Sequence, residues 1–197
     1  TFRLSLDWKA SNSSHVVEVV FPNVRGFQLG NTGAANVLFY PHHAGERTEH
    51  PAKRYASDKY AGFWRAEVRK VDGVFRREIN YCGLASMTWM YLQDDRQGLY
   101  IAQHDERFPV TGVRAETGGE EAPWMGFAFV KHCRIRPGER WRSGPAVLAA
   151  ANEDWRWGAR RYRRWIGPFL HKPEQAERMK RQYILSQCYN FKQIGRA

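Results

Sequence analysis

His104 and Asp105 stand side by side after an apolar run, and His132 lies in a second such run. An imidazole beside a carboxylate can move a proton in general acid–base catalysis, which makes these three the catalytic candidates of the chain. The plainer reading of the adjacent pair is a turn, which an Asp side chain holds through local hydrogen bonds. A second cluster, His42, His43, Glu46, Glu49 and His50, combines imidazole and carboxylate groups of the kind that bind zinc. Adjacent His side chains diverge, and H-E-x-x-H is absent, so the cluster reads as a solvated loop and no metal is expected. No cofactor is expected either. G-x-S-x-G and G-x-x-x-x-G-K-[ST] do not occur, and Gly26, Gly30 and Gly33 do not form the dinucleotide fingerprint. Glu120 and Glu121 are adjacent and do not make the carboxylate pair, about 5 or 6.5–9.5 Å apart, that flanks a glycosidic bond.

Aromatic side chains offer a different chemistry. Trp89, Trp124, Trp155, Trp157 and Trp165 are flat apolar rings that can stack on a ligand or anchor an interface. Sugar rings stack on such faces. The run Arg160-Arg161-Tyr162-Arg163-Arg164 resembles a nucleic-acid patch by composition. On a helix, though, Tyr162 falls on the apolar face and the arginines fan over the other, as on a solvated or interdomain surface. The zinc-finger, RNP-type and basic-zipper patterns are missing.

These residues need elements to position them. Phe2 to Trp8 alternates apolar and polar residues and predicts a strand. Further strands are predicted over His15–Phe21 (closed by Pro22), Val37–Tyr40, Ala85–Leu92, Gly98–Gln103, Phe108–Glu116, Met125–Ile135 and Ala146–Ala150. Asp72-Gly73 marks a hairpin turn within a short strand pair. Pro41–Pro51 reads as an irregular loop. After Asp154, which predicts an N-cap, Trp155, Ala159, Tyr162 and Ile166 share one helical face, and Gly167-Pro168 ends the helix. Glu174–Arg181 predicts a second helical segment, and Tyr183–Phe191 a strand. Short strands with Gly and Pro turns, followed by helices, predict a mostly β protein, an antiparallel sandwich with C-terminal helices.

The chain of 197 residues suits one large domain with a small appendage. Apolar residues at 43% and charged residues at 26% place it among globular proteins. No apolar stretch approaches the roughly 20 residues that span a bilayer. Thirty-one Lys and Arg against 20 Asp and Glu give +11, and eight Trp contribute to an aromatic content of 14%. A basic, aromatic chain suits either nucleic acid or carbohydrate, and surplus arginine also simply solvates a surface. Three widely spaced cysteines exclude a dense disulfide framework. The chain starts at Thr1 without a signal peptide, as a fragment or processed form would.

Four stretches together resemble one family. They are Val19-Val20-Phe21-Pro22 with the loop to Phe39-Tyr40-Pro41, Ala85-Ser86-Met87-Thr88-Trp89-Met90, Gly98-Leu99-Tyr100-Ile101-Ala102-Gln103-His104-Asp105, and the segment from Asp154 to Trp165. They resemble the N-terminal region of poorly characterised glycoside-hydrolase-like proteins, in which a galactose-mutarotase-like β-supersandwich precedes a (β/α)8 barrel. The resemblance implies a sandwich over residues 1–152, a helical linker over 153–182 and the start of the barrel over 183–197. It also implies that the cleaving carboxylates lie on a barrel outside this chain. The tryptophans of the Trp155–Trp165 helix would then anchor that partner domain; the alternative is that they pack on the sandwich itself.

Three functions follow as expectations. The first is an accessory carbohydrate-binding sandwich of a glycoside hydrolase. The second is a free-standing aldose mutarotase using His104, Asp105 and His132. The third, a basic nucleic-acid binder, ranks last.

Overall fold

A computed structural model of the chain describes residues 1–10, 12–30, 35–57 and 68–170. The chain divides into two units, Thr1–Trp165 and Ile166–Ala197, and the description below is of the first. The segments predicted as a second helix and a last strand, Glu174–Arg181 and Tyr183–Phe191, lie outside the described residues, as does Cys188.

Twelve strands are described: β1 (Ser5–Asp7), β2 (Val16–Phe27), β3 (Val37–Tyr40), β4 (Glu46–Glu49), β5 (Arg69–Val71), β6 (Val74–Tyr81), β7 (Trp89–Gln93), β8 (Gly98–Gln103), β9 (Thr111–Thr117), β10 (Met125–Ile135), β11 (Arg140–Arg142) and β12 (Ala146–Ala151). Two helices join them, α1 (Pro51–Ala56) and α2 (Trp155–Ile166). One sheet has the order β12-β8-β7-β3-β4, a second β2-β10-β9-β6-β5, and β1 pairs with β11 alone. All recorded pairings are antiparallel. The protein is therefore mostly β, as the strand pattern predicts. No helix of the described residues is long and apolar enough to cross a membrane.

The two five-stranded sheets bury one common core. Leu38, Met90, Leu92 and Ile101 come from the first sheet, and Ile79, Val113, Phe127 and Phe129 from the second. In β7 and β8, however, the alternate residues Trp89, Tyr91 and Tyr100 are buried as well. Both faces of the first sheet are covered there, which is why these strands read as continuous apolar runs rather than as alternation.

Helix α2 covers that outer face. Trp155 stacks on Phe39 at 5.2 Å between ring centroids, Trp157 meets Tyr100 edge-on at 6.1 Å, and Trp165 lies parallel to His104 at 4.3 Å. Buried Tyr162 packs on Trp89 and faces the Thr88 hydroxyl at 3.3 Å. The helix starts where its sequence says it should. Asp154 Oδ1 accepts the Arg156 N–H at 2.9 Å, and Gln93 Oε1 accepts that of Trp155 at 2.9 Å. Gly158 is what lets the helix sit down on the sheet. A Cβ there would come within 2.8 Å of Tyr91 Cδ2, 3.1 Å of Tyr100 Cδ2 and 3.2 Å of Trp89 Cζ3. Gly158→Leu should therefore lift α2 and destabilise the unit by about 1–3 kcal/mol, the usual cost of overpacking. The check is tryptophan emission shifting to the red beside a lowered melting temperature.

Three departures from the sequence pattern have physical reasons. β2 does not close at Pro22 but runs on to Phe27. It is an edge strand whose register against β10 shifts between Val20 and Asn23, and a proline is tolerated at such an irregular edge. The loop Pro41–Pro51 contains β4, a wholly polar edge strand of Glu, Arg, Thr and Glu; polar edges protect sheets from unwanted pairing. β6 extends through Arg76, Arg77 and Glu78, where a charged residue occupies a core-facing position and hides the period of two. The Asp72-Gly73 hairpin forms as expected, with positive φ at both residues.

Candidate functional site

The sequence candidates are not gathered together. His104 lies at the end of β8 beneath α2, sandwiched by Trp165, with Nε2 3.0 Å from the Tyr100 hydroxyl. Burial, helped by the nearby Arg161 cation, pulls its pKa down to about 4, so it is neutral at pH 7. Asp105 serves other partners: it accepts Arg107 Nε at 2.9 Å and Nη2 at 2.8 Å, and the Gly144 N–H at 3.1 Å. His132 is exposed on β10, across from Glu18 of β2. Trp124 lies half-buried in the loop before β10, against Gly118 and Gly126, on the second sheet. Trp157 and Trp165 are half-buried on α2, with Arg161 5.3 Å over the Trp157 ring.

Two of the tryptophans do meet. Trp89 of β7 and Trp155 of α2 line one pocket of about 290 Å3, together with Phe39, Met87, Glu46 and Arg47. That volume lies at the lower end for small-molecule sites, which run from about 300 to 1,000 Å3. The elements explain the convergence. Phe39 points outward from β3 because its neighbours Leu38 and Tyr40 belong to the core. The helix start then sets Trp155 parallel to it, with 22° between the planes. Trp89 is steadied by donating Nε1–H to Met87 Sδ at 3.1 Å.

The polar side of this pocket is built on a fully buried arginine. Arg77 of β6 has no exposed surface, and its guanidinium lies 4.8 Å over the Tyr40 ring. Nη1 and Nη2 donate to Glu46 Oε1 and Oε2 at 2.7 and 2.9 Å, a bidentate fork. Thr48 Oγ1 donates to the same Oε1 at 3.0 Å. His42 Nδ1 lies 3.1 Å from both Glu46 Oε2 and Arg77 Nη2. Burial lowers the His42 pKa, and in the neutral ring Nδ1 can either donate to Glu46 or accept from Arg77, not both. Nε2 is buried and without a hydrogen-bond partner among the described residues. Glu46 is the member that reaches the pocket, with its side chain 25% exposed.

Sequence reading found His42 and Glu46 but gave them to a solvated loop, and it missed Arg77. The only signal is the charged triplet Arg76-Arg77-Glu78 set between Val74-Phe75 and Ile79, and nothing in it says that Arg77 faces the core. Among the described residues no group of three or more His, Cys, Asp or Glu is placed to hold a metal ion. Cys82 and Cys133 are free thiols.

A small amphipathic ligand would lay an apolar face on the Phe39, Trp89 and Trp155 rings and offer its polar edge to Glu46 and Arg47. No protein-family model matches the chain, and no curated protein or solved structure does either; no family is identified, and what the chain does has to be read from the residues just described.

Proposed function

We propose that this chain is an accessory β-sandwich of a carbohydrate-active enzyme, built on the galactose-mutarotase-like supersandwich plan, and that it binds a glycan in the Trp89–Trp155 pocket. One observation carries the reading: three aromatic rings, Phe39, Trp89 and Trp155, line one pocket of about 290 Å3 together with the Glu46 carboxylate, held by Arg77, and with Arg47, which donates to Glu49. A pyranose has that duality, with axial C–H groups on one face and hydroxyls around its edge. Rings hold the face by stacking, while Glu46 and Arg47 take the hydroxyls as acceptor and donor.

Catalysis belongs to a partner domain in this reading, a barrel following in cis. The described carboxylates that are buried, Asp105 and Glu116, are each occupied by arginine: Asp105 by Arg107, and Glu116 by Arg25 and Arg76. The half-buried faces of Trp157 and Trp165 would meet that domain.

Calorimetric titration with a panel of neutral oligosaccharides tests the proposal. At least one should bind with a Kd in the micromolar to millimolar range. Trp155→Ala should weaken it by about tenfold or more, which is the loss of about 1.4 kcal/mol of stacking. Absence of binding by every neutral sugar would overturn it.

A further inference from the structure

A second pocket, of about 540 Å3, opens between the turn that follows β8 and the junction of β11 with β12. It shares no lining residue with the aromatic pocket. Three arginines line it, Arg3, Arg107 and Arg142.

Arg107 is fixed in advance. Its Nε and Nη2 donate to the two oxygens of Asp105, and Nη2 also donates to the Arg142 carbonyl at 3.0 Å. Asp105 is only 5% exposed, and the backbone has been shaped to seat it. Gly144 gives it an N–H at 3.1 Å, and a Cβ on Gly144 would collide with the Asp105 side chain. A buried carboxylate that holds a surface arginine by a two-point fork sets the plane of that guanidinium before any ligand arrives. Nη1 of Arg107 makes no hydrogen bond among the described residues, and neither do the guanidiniums of Arg3 and Arg142, though Arg142 lies within the field of the Asp7 carboxylate, which Arg140 engages. Ser143, 6% exposed, accepts the Leu4 N–H on its Oγ at 2.9 Å, which leaves its O–H as a further donor. Against these stand Asp105, already engaged, and Glu106.

We propose that this pocket binds an organic oxyanion, the carboxylate, sulfate ester or phosphate ester of a ligand of sugar size. The anion lies among the Arg3, Arg107 and Arg142 guanidiniums and takes the Ser143 hydroxyl proton as a hydrogen bond. The volume exceeds what a bare inorganic ion fills, so the body of the ligand occupies the remainder.

The test is calorimetric titration of the intact chain with glucuronate, glucose 6-sulfate and glucose 6-phosphate, with glucose as the neutral control. In the Trp155→Ala background, which disables the aromatic pocket, at least one of the acids binds and glucose does not, and the order of the three identifies the anion. The exposed substitutions Arg3→Gln and Arg142→Gln, which leave the core untouched, each weaken acid binding by about tenfold. Trp155→Ala leaves acid binding unchanged, so failure here and failure of the glycan pocket are told apart. The proposal falls if no acid binds, or if in Trp155→Ala, where the aromatic pocket is disabled, glucose binds as well as the acids. It falls equally if binding survives Arg3→Gln and Arg142→Gln, and its loss in Arg163→Gln/Arg164→Gln would then place the anion on the helix instead. Tighter binding of an oligonucleotide through those same two helix arginines would mark a general polyanion surface and overturn it too.

Discussion

Arg77→Ala should cost this protein about 3–5 kcal/mol of stability, the loss typical of breaking one partner out of a buried ion pair. Arg77 is wholly buried, and its removal strands the Glu46 carboxylate and deprives His42 Nδ1 of a donor. It also removes the cation from the Tyr40 ring. The size of this loss measures the penalty of an orphaned charge, not the worth of the pair. A double change, Arg77→Met with Glu46→Leu, should therefore recover most of the stability, because apolar replacements of similar shape leave no charge behind. Urea unfolding of the two variants and the parent checks this. A double variant as unstable as Arg77→Ala would show that shape, not charge, is what Arg77 supplies.

Lys131→Met should act in the opposite direction. Lys131 is 3% exposed on β10, with its Nζ donating to Thr111 Oγ1 at 2.9 Å. Burial pulls its pKa from 10.5 to about 7, a fall that the nearby Asp105 carboxylate opposes. The folded state thus binds the Lys131 proton less tightly than the unfolded chain, so the unfolded state holds more protons between pH 7 and about 10. Stability from this group rises with pH across that window. Its cost is complete below pH 7 and vanishes above about 10.5. At about 1.4 kcal/mol per pH unit, Lys131→Met should be more stable than the parent by roughly 3–5 kcal/mol at pH 6. At pH 10.5 the two should be level, or the parent slightly ahead through its Thr111 hydrogen bond. Chemical denaturation of both proteins across pH 6–10.5 checks the difference, which cancels every other titrating group.

Much of the framework was legible because it follows local rules. Val37–Tyr40, Met125–Ile135 and the Gly98–Gln103 hairpin partner all form where their patterns put them. Helix α2 begins after Asp154 and stops before Gly167-Pro168, since a side-chain oxygen caps one end and a proline closes the other. What local rules do not carry is partnership at long range. Glu46 and Arg77 are separated by 31 positions and meet only because β6 and the β3–β4 hairpin bury against one another. A strand of Glu, Arg, Thr and Glu has no apolar period to betray it.

The sites show the same division. Trp89 and Trp155 were legible as ring-bearing residues, but their shared pocket depends on α2 settling onto β3 and β7, which Gly158 permits. His104 and Asp105 looked like a dyad because they are neighbours in sequence. Both lie past the end of β8, where the chain enters the turn that Asp105 holds by accepting the Arg107 N–H at 3.2 Å, so one stacks on Trp165 and the other clamps Arg107. Asp105 therefore belongs to an anion pocket that no short motif announces.

The aromatic pocket is the claim on which the function stands, and site-resolved nuclear magnetic resonance tests it most directly. The indole N–H signals of the tryptophans are followed while the best-binding neutral oligosaccharide is titrated in. The Trp155 and Trp89 signals should move together and saturate with the calorimetric Kd, while Trp124 on the second sheet stays still. Saturating shifts at Trp124 with Trp89 and Trp155 unmoved would place the sugar elsewhere and contradict the account.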